Sequence, residues 1–426
     1  MSRDVCEPRP APSPGERARA PRAPPPKTFH SAPKPPRPPL PHGDPTRTGP
    51  TRGPPPVPSA RLRRSLAAAT ALPLLALVAT ACGYGSDSDD GDKASKAPVA
   101  AGAEKLSASS VRIGYFPNLT HATALVGIEK GLFQKELGAT AVKPSTFNAG
   151  PSEIEALNSG SIDIGFIGPS PSINGFTQSQ GKSLRIIGGS ASGGVKLVVN
   201  PKKIKSLDDV KGKRIATPQL GNTQDVAFLN WAAEKGWKVD AQSGKGDVSV
   251  VRSDNKVTPD AYKSGSIDGA WVPEPTASKL VSEGAKEILD ERDLWPDKKF
   301  VITNIIVSQK FLSEHPDVVE AVLRGSVTTN KWIKDNDEAA KTAANDALKK
   351  LSGKALPAEQ LDPAWKSIEI LDDPLAATLQ AEADHAVKAG LLKKPQLKGI
   401  YDLGPLNKVL KAEGRPAVDD AGLGVK

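Results

Sequence analysis

The residues best placed to do chemistry are short polar side chains that open helices after strands. Gly168-Pro-Ser170-Pro171 sets a capping serine beside prolines suited to a first helical turn, and Gly221-Asn222-Thr-Gln-Asp225 reads as a second helix start in a capping-box-like pattern. The first N–H groups of a helix have no intrahelical partner and the helix dipole is positive there, so such turns favour an anion. In open α/β sheets these turns lie beyond the carboxyl ends of the strands, where ligands sit. The pattern predicts several helix starts converging on one cleft. Signals for other chemistry are missing: the chain has no Gly-x-Ser-x-Gly, no P-loop and no His-Glu-x-x-His, no thiol follows Cys82, and the histidines after it (121, 315 and 385) are scattered. Neither a metal nor a cofactor is expected, and no catalytic residue is assigned.

The elements that must hold these turns follow from the apolar pattern. Short apolar runs alternate with amphipathic stretches, which predicts an α/β fold of βα units. Strands are expected near 111–115, 142–146, 162–167, 184–188, 214–216, 248–251 and 269–272, with a helix over 120–130 that Gly131 terminates. An internal echo organises them. Glu155-Ala-Leu-Asn-Ser-Gly-Ser-Ile-Asp163 leads into Ile-Gly-Phe-Ile-Gly-Pro-Ser-Pro171, and Asp260-Ala-Tyr-Lys-Ser-Gly-Ser-Ile-Asp268 leads into Gly-Ala-Trp-Val-Pro-Glu-Pro275. The five residues Ser-Gly-Ser-Ile-Asp alone fit a helix-to-strand connector. Their continuation through strand and turn predicts two similar lobes, because the spacing is too long for a solenoid repeat.

Composition separates this body from what precedes it. The chain of 426 residues carries a formal charge of +9, which by itself suggests nucleic acid. All of that excess lies in residues 1–64, and 20 of the 40 prolines lie in residues 1–60. The remainder is net neutral, which removes the nucleic-acid reading. Residues 1–60 read as a misassigned or disordered proline-rich leader, with Val57 as the alternative start. Residues 61–81 read as a lipoprotein signal peptide: Arg61-Leu-Arg-Arg64, an interrupted apolar run too short to span a bilayer, and a small-residue end. Val78-Ala-Thr-Ala-Cys82 resembles a lipobox, so Cys82 is expected to be lipidated, although Ala79 departs from the usual branched residue. Residues 82–108 are then anchor and flexible tether, and the body is anchored to the outer face of the cell membrane.

Five segments resemble the aliphatic sulfonate, nitrate and taurine substrate-binding proteins of ABC importers: Tyr115-Phe-Pro-Asn-Leu-Thr-His121, Ala156-Leu-Asn-Ser-Gly-Ser-Ile-Asp163, Ile167-Gly-Pro-Ser170, Ala216-Thr-Pro-Gln-Leu-Gly-Asn-Thr223 and Asp268-Gly-Ala-Trp-Val-Pro-Glu-Pro275. The resemblance spans about residues 109 to 426. It implies a two-lobed periplasmic-binding-protein-like fold (type II) with mixed, mostly parallel sheets flanked by helices and a cleft between the lobes. Lobe one is expected over 109–197 plus 306–426, lobe two over 198–305, with crossovers near 195–200 and 304–307. The segment from His315 onward is expected to pack mostly on lobe one.

Carried onto this sequence, the family's cleft implies Phe116, Asn118, Thr120, His121, Ser170, Ser190 and Ser192 from lobe one, and Gly221, Asn222, Thr223, Trp271 and Glu274 from lobe two. Helix-terminal amides and hydroxyls would hold a sulfonate, its tail against Trp271 or Phe116. No arginine falls in these turns, so dipoles rather than a salt bridge would carry recognition. Plainer readings stand beside these. Ser170, Thr120 and Thr223 also fit simple caps, His121 a local backbone partner, Trp271 lobe core, and Glu274 a solvated helix-start residue.

The implied partners are a small anionic solute, the importer's permease and ATPase subunits, and the membrane through the lipid anchor, with a monomeric body. Nitrate, taurine and a thiamine-pyrimidine precursor stay open as ligands. A pyrimidine-synthesising enzyme of related fold is the rival function, set back by the missing cysteine motif. A surface adhesin is the third, and would show an exposed apolar patch instead of a cleft.

Overall fold

A computed structural model describes residues 105–425. The leader, the signal peptide, Cys82 and nearly all of the tether lie outside the described residues, and so do the expectations placed on them. Among the described residues there are eleven strands: β1 (Ser110–Tyr115), β2 (Ala141–Thr146), β3 (Ile164–Ile167), β4 (Leu184–Gly193), β5 (Val195–Val199), β6 (Arg214–Thr217), β7 (Ser249–Arg252), β8 (Gly269–Pro273), β9 (Lys286–Asp290), β10 (Val301–Ser308) and β11 (Ile368–Ile370). They form two sheets, ordered β11-β4-β10-β3-β1-β2 and β7-β6-β8-β5-β9. The second sheet repeats the order of the first with β6, β7, β8, β5 and β9 in the places of β1, β2, β3, β10 and β4.

The sheets are mixed but not mostly parallel, a correction to the expected proportion. β1 runs parallel to β2 and β3, and β6 to β7 and β8, while β10 is antiparallel to β3 and β4, β5 to β8 and β9, and β11 to β4. The cause is that β5 and β10 each enter a sheet from the other lobe. The segments expected as crossovers, 195–200 and 304–307, are these two central strands. Both are β-branched runs buried along nearly their whole length, as a strand covered on both faces must be. The chain instead passes between sheets at Gly193-Gly194, both in the left-handed region (φ +76° and +71°), and returns between Asp290 and Val301.

The echo has a physical basis in both sheets. Arg112 on β1 gives its backbone N–H and its guanidinium to Asp163, and reaches the Gly160 carbonyl. Arg214 on β6 makes the same contacts with Asp268 and the Gly265 carbonyl. Each Ser-Gly-Ser-Ile-Asp therefore ends in a buried carboxylate that ties the incoming strand to its parallel neighbour.

The C-terminal helices cover the first sheet and also reach the second. Helix Pro316–Asp335 packs on Phe133, whose ring fits between Gly127 and Gly325. Helix Ala376–Lys388 buries Leu379 and Ala383 with Ile306 and Tyr401 on the first-lobe side, while Lys388 pairs with Glu234 of the second lobe at 3.2 Å. Gln360 likewise donates to Ser282 at 2.9 Å. Among the described residues no helix is long and apolar enough to cross a membrane.

Candidate functional site

Three helix starts from the two lobes meet at one small cavity. Gly168 is the N-cap of helix Pro169–Gln178, Asn222 the N-cap of helix Thr223–Glu234, and Gly150 opens helix Gly150–Asn158. Gly168 packs so closely on Thr223 that a Cβ there would collide with the threonine hydroxyl, and a Cβ on Gly150 would collide with Pro171. Asn222 does not cap its own helix. Its Oδ1 accepts the Gly150 N–H across the cleft at 3.2 Å, and its Nδ2 donates to Gln224 at 2.8 Å. The Leu119 N–H donates to the Glu274 carbonyl at 3.0 Å, a second bond between the lobes.

The cavity is lined by Phe116, Asn118, Thr120, His121, Asn148, Gly168, Asn222, Thr223, Gln224, Asn255, Pro273 and Ile302, and measures about 20 Å³, room for roughly one water. Its lining contains no lysine, arginine, aspartate or glutamate. His121 adds no charge either: burial pushes its imidazole down to about 3. Its Nδ1 accepts the Phe116 N–H at 3.3 Å and its ring lies against Phe116 with centroids 4.5 Å apart, which leaves the proton on Nε2 as a neutral donor. The Thr223 hydroxyl and the Asn255 Oδ1 are buried without a partner.

Of the twelve residues expected at the cleft, the cavity gathers Phe116, Asn118, Thr120, His121, Asn222 and Thr223. The other six are engaged elsewhere. Ser190 donates to Thr123 at 3.0 Å, and Ser192 accepts the Phe300 N–H at 3.3 Å. Gly221 gives its N–H to Asp225 at 3.0 Å, one residue before the N-cap Asn222, whose own N–H goes to the Gln219 carbonyl. Trp271 is second-lobe core between Phe228 and Trp231, and its indole donates to Glu291 at 2.6 Å. Glu274 is buried rather than solvated: it accepts from the Ser278 N–H and hydroxyl and lies 3.4 Å from Lys196. Burial pushes its carboxyl up against the pull of Lys196. Ser170 is buried beside the carboxyl of Glu382, its hydroxyl without a hydrogen-bond partner.

The cavity also takes in residues absent from the expected cleft, and the internal echo carried a signal for two of them, Gly168 and Pro273. Gly168 follows β3 and Pro273 ends β8, equivalent strands of the two sheets; Asn148 follows β2 and Asn255 follows β7, an equivalence that only the sheet order reveals. Ile302, on the inserted strand β10, and Gln224 had no such signal.

A profile of the NMT1-like family matches residues 104–347. A Brucella abortus (strain 2308) protein described as a binding protein is 29% identical over 298 residues, which cover 67% of this chain and 87% of that protein. The taurine-binding periplasmic protein of Escherichia coli (strain K12) is 29% identical over 219 residues, 50% of this chain and 65% of that protein. Among solved structures, the alkanesulfonate-binding protein of Xanthomonas axonopodis pv. citri, bound to MOPS, shares the fold with a TM-score of 0.56 at 22% identity, covering 67% of this chain and 96% of that one. The two sheets with a cleft between them are the two-lobed fold of periplasmic binding proteins.

Proposed function

We propose, from the premise that this chain belongs to the NMT1-like family, that it is the extracytoplasmic solute-binding component of an ABC importer and captures a small organic anion, an aliphatic sulfonate first, by closing its lobes on it. One observation carries the reading: helix starts from both lobes are brought face to face at a cavity with no cationic side chain. Positive dipole ends repel one another unless something negative lies between them, and unpaired N–H groups supply the donors. Phe116, Asn118, Thr120, His121, Asn222 and Thr223 would touch the solute. Ser170, Ser190, Ser192, Gly221, Trp271 and Glu274 would support them from behind.

A flat pyrimidine fits this cavity less well, because stacking needs aromatic faces on opposite walls and its two lining rings, Phe116 and His121, are spent on each other. Nitrate and taurine stay as alternative ligands. The chain binds its solute without transforming it in this reading, since His121 is held neutral by burial and spends its Nδ1 on the Phe116 N–H. The body would work as a monomer, tethered to the outer membrane face through Cys82, and its closed form would be read by permease and ATPase subunits.

The test is a thermal-shift series on the full chain with alkanesulfonates, taurine, sulfate, nitrate and pyrimidines, because a ligand bound only by the folded state raises its melting temperature. Upward shifts with sulfonates are expected. A shift with pyrimidines alone would replace the sulfonate by a thiamine precursor.

A further inference from the structure

One acceptor at the cavity between the lobes has no donor to match it. Donors are there already: the helix starts, the Nε2 of the neutral His121, and the Thr223 hydroxyl, which is 2% exposed and unpartnered. They suit the anionic end of a solute. Two of the lining carboxamides are spent, since Asn222 takes the Gly150 N–H on its Oδ1 and gives its Nδ2 to the Gln224 Oε1. Asn255 is not. It follows β7 in the second lobe and lines the cavity, and its Oδ1 is buried without a hydrogen bond. Asn148, after β2, lines the cavity from the equivalent place in the first lobe.

A carboxamide oxygen can only accept, and leaving it buried and unpaired costs free energy. The anionic end of a solute cannot satisfy it, because a sulfonate or carboxylate oxygen has no proton to give. A donor elsewhere on the solute is needed. Its charge follows from the walls: no aspartate or glutamate lines the cavity, so nothing there would neutralise an ammonium taken out of water, whereas a hydroxyl needs no such partner. We propose that Asn255 is a specificity-determining residue that accepts a hydrogen bond from an uncharged hydroxyl on the solute, whose anionic end lies on the converging helix starts. The assignment rests on the solute-binding reading above and deepens it. Selectivity then follows from what an analogue lacking the hydroxyl leaves behind, a buried acceptor without a donor.

Calorimetric titration of the full chain tests it with 2-hydroxyethanesulfonate, with 1-propanesulfonate, in which a methyl replaces the hydroxyl, with taurine, in which an ammonium replaces it, and with the carboxylate pair 3-hydroxypropanoate and butanoate. The hydroxysulfonate is expected to bind at least about 10-fold more tightly than 1-propanesulfonate, and Asn255→Leu to bring that ratio to within about 3-fold. Equal binding of these two by the unaltered chain overturns the role of Asn255 and leaves the sulfonate reading intact, whether or not the variant folds. Taurine bound more tightly than the hydroxysulfonate overturns the uncharged donor. A hydroxyl preference that survives Asn255→Leu in a variant of unchanged melting temperature overturns the assignment to this residue. Tighter binding of 3-hydroxypropanoate than of butanoate, with no sulfonate bound, sinks the sulfonate reading and supports Asn255. No binding of any probe overturns both readings.

Discussion

Asn222 stands where a cap is expected and spends its side chain on the opposite lobe. A buried hydrogen bond of this kind contributes about 1 kcal/mol, since folding exchanges one partner for another. Asn222→Ala should therefore lower the unfolding stability of the solute-free chain by about 1 kcal/mol; an unaltered urea midpoint would show that the 3.2 Å contact with Gly150 does not hold the lobes. Glu291 behaves differently because it is a buried acid. Burial, opposed by the Trp271 and Trp295 indoles, pushes it up to about 7, whereas the unfolded chain titrates near 4.5. The folded state binds its proton more tightly, so this residue's stabilisation is complete below about 4.5 and is lost as pH rises through about 7. Glu291→Gln should raise the melting temperature at pH 8, by up to about 3 kcal/mol of stability, and change little at pH 4.5. Equal effects at both pH values would mean that the carboxyl is ionised in the fold. These residues also mark the limit of the sequence reading. Ser190, Ser192, Trp271 and Glu274 have the types and positions of cleft residues, but each is consumed by a partner distant in sequence or by burial, which no local pattern reveals.

At the scale of elements, the sequence was most legible where a strand's own pattern decides its state. Seven strands lie within two residues of their expected starts, although β4 runs on to Gly193. The misread elements, β5 and β10, are strands whose place depends on the other lobe. Their apolar runs were visible, but the insertion that makes each one central and antiparallel comes from chain topology. The echo was legible as a repeat and opaque as to cause, because the arginines that complete it lie 51 and 54 residues before their aspartates. The two clamps give a paired prediction. Burial would raise the Asp268 carboxyl, but Arg214 and Lys203 hold it well below the ordinary range, so its stabilisation is present above about pH 4 and fades as pH falls below that. The arginines are 42% exposed, which screens the pairs and trims the cost of breaking them. Asp163→Ala and Asp268→Ala should each cost about 2 kcal/mol in urea unfolding at pH 7, for the same reason in each lobe. A loss under about 0.5 kcal/mol in either would mean that the clamp is replaced by water.

For the whole molecule the geometry is that of closed lobes. The bonds Leu119 to Glu274 and Gly150 to Asn222 and the pair Lys388 to Glu234 all run between them, and the cavity they enclose is about 20 Å³. A solute larger than a water molecule cannot enter it while those contacts stand, so capture from this arrangement has to follow opening. When a conformational step precedes binding, the observed rate levels off at the rate of that step as solute concentration rises. Trp295 reports on it well: it lies in the return between the sheets, stacks on Phe300 at 5.3 Å, and meets His385 of the bridging helix at 5.1 Å. Stopped-flow fluorescence with a binding solute should give a rate that saturates. Shortening Lys388 to alanine should raise the plateau, since it removes one contact that opening must break, while the exposed pair contributes little to overall stability. A rate that instead climbs linearly with solute concentration, at a slope of about 10⁸ M⁻¹s⁻¹, would show the open arrangement to be the resting one.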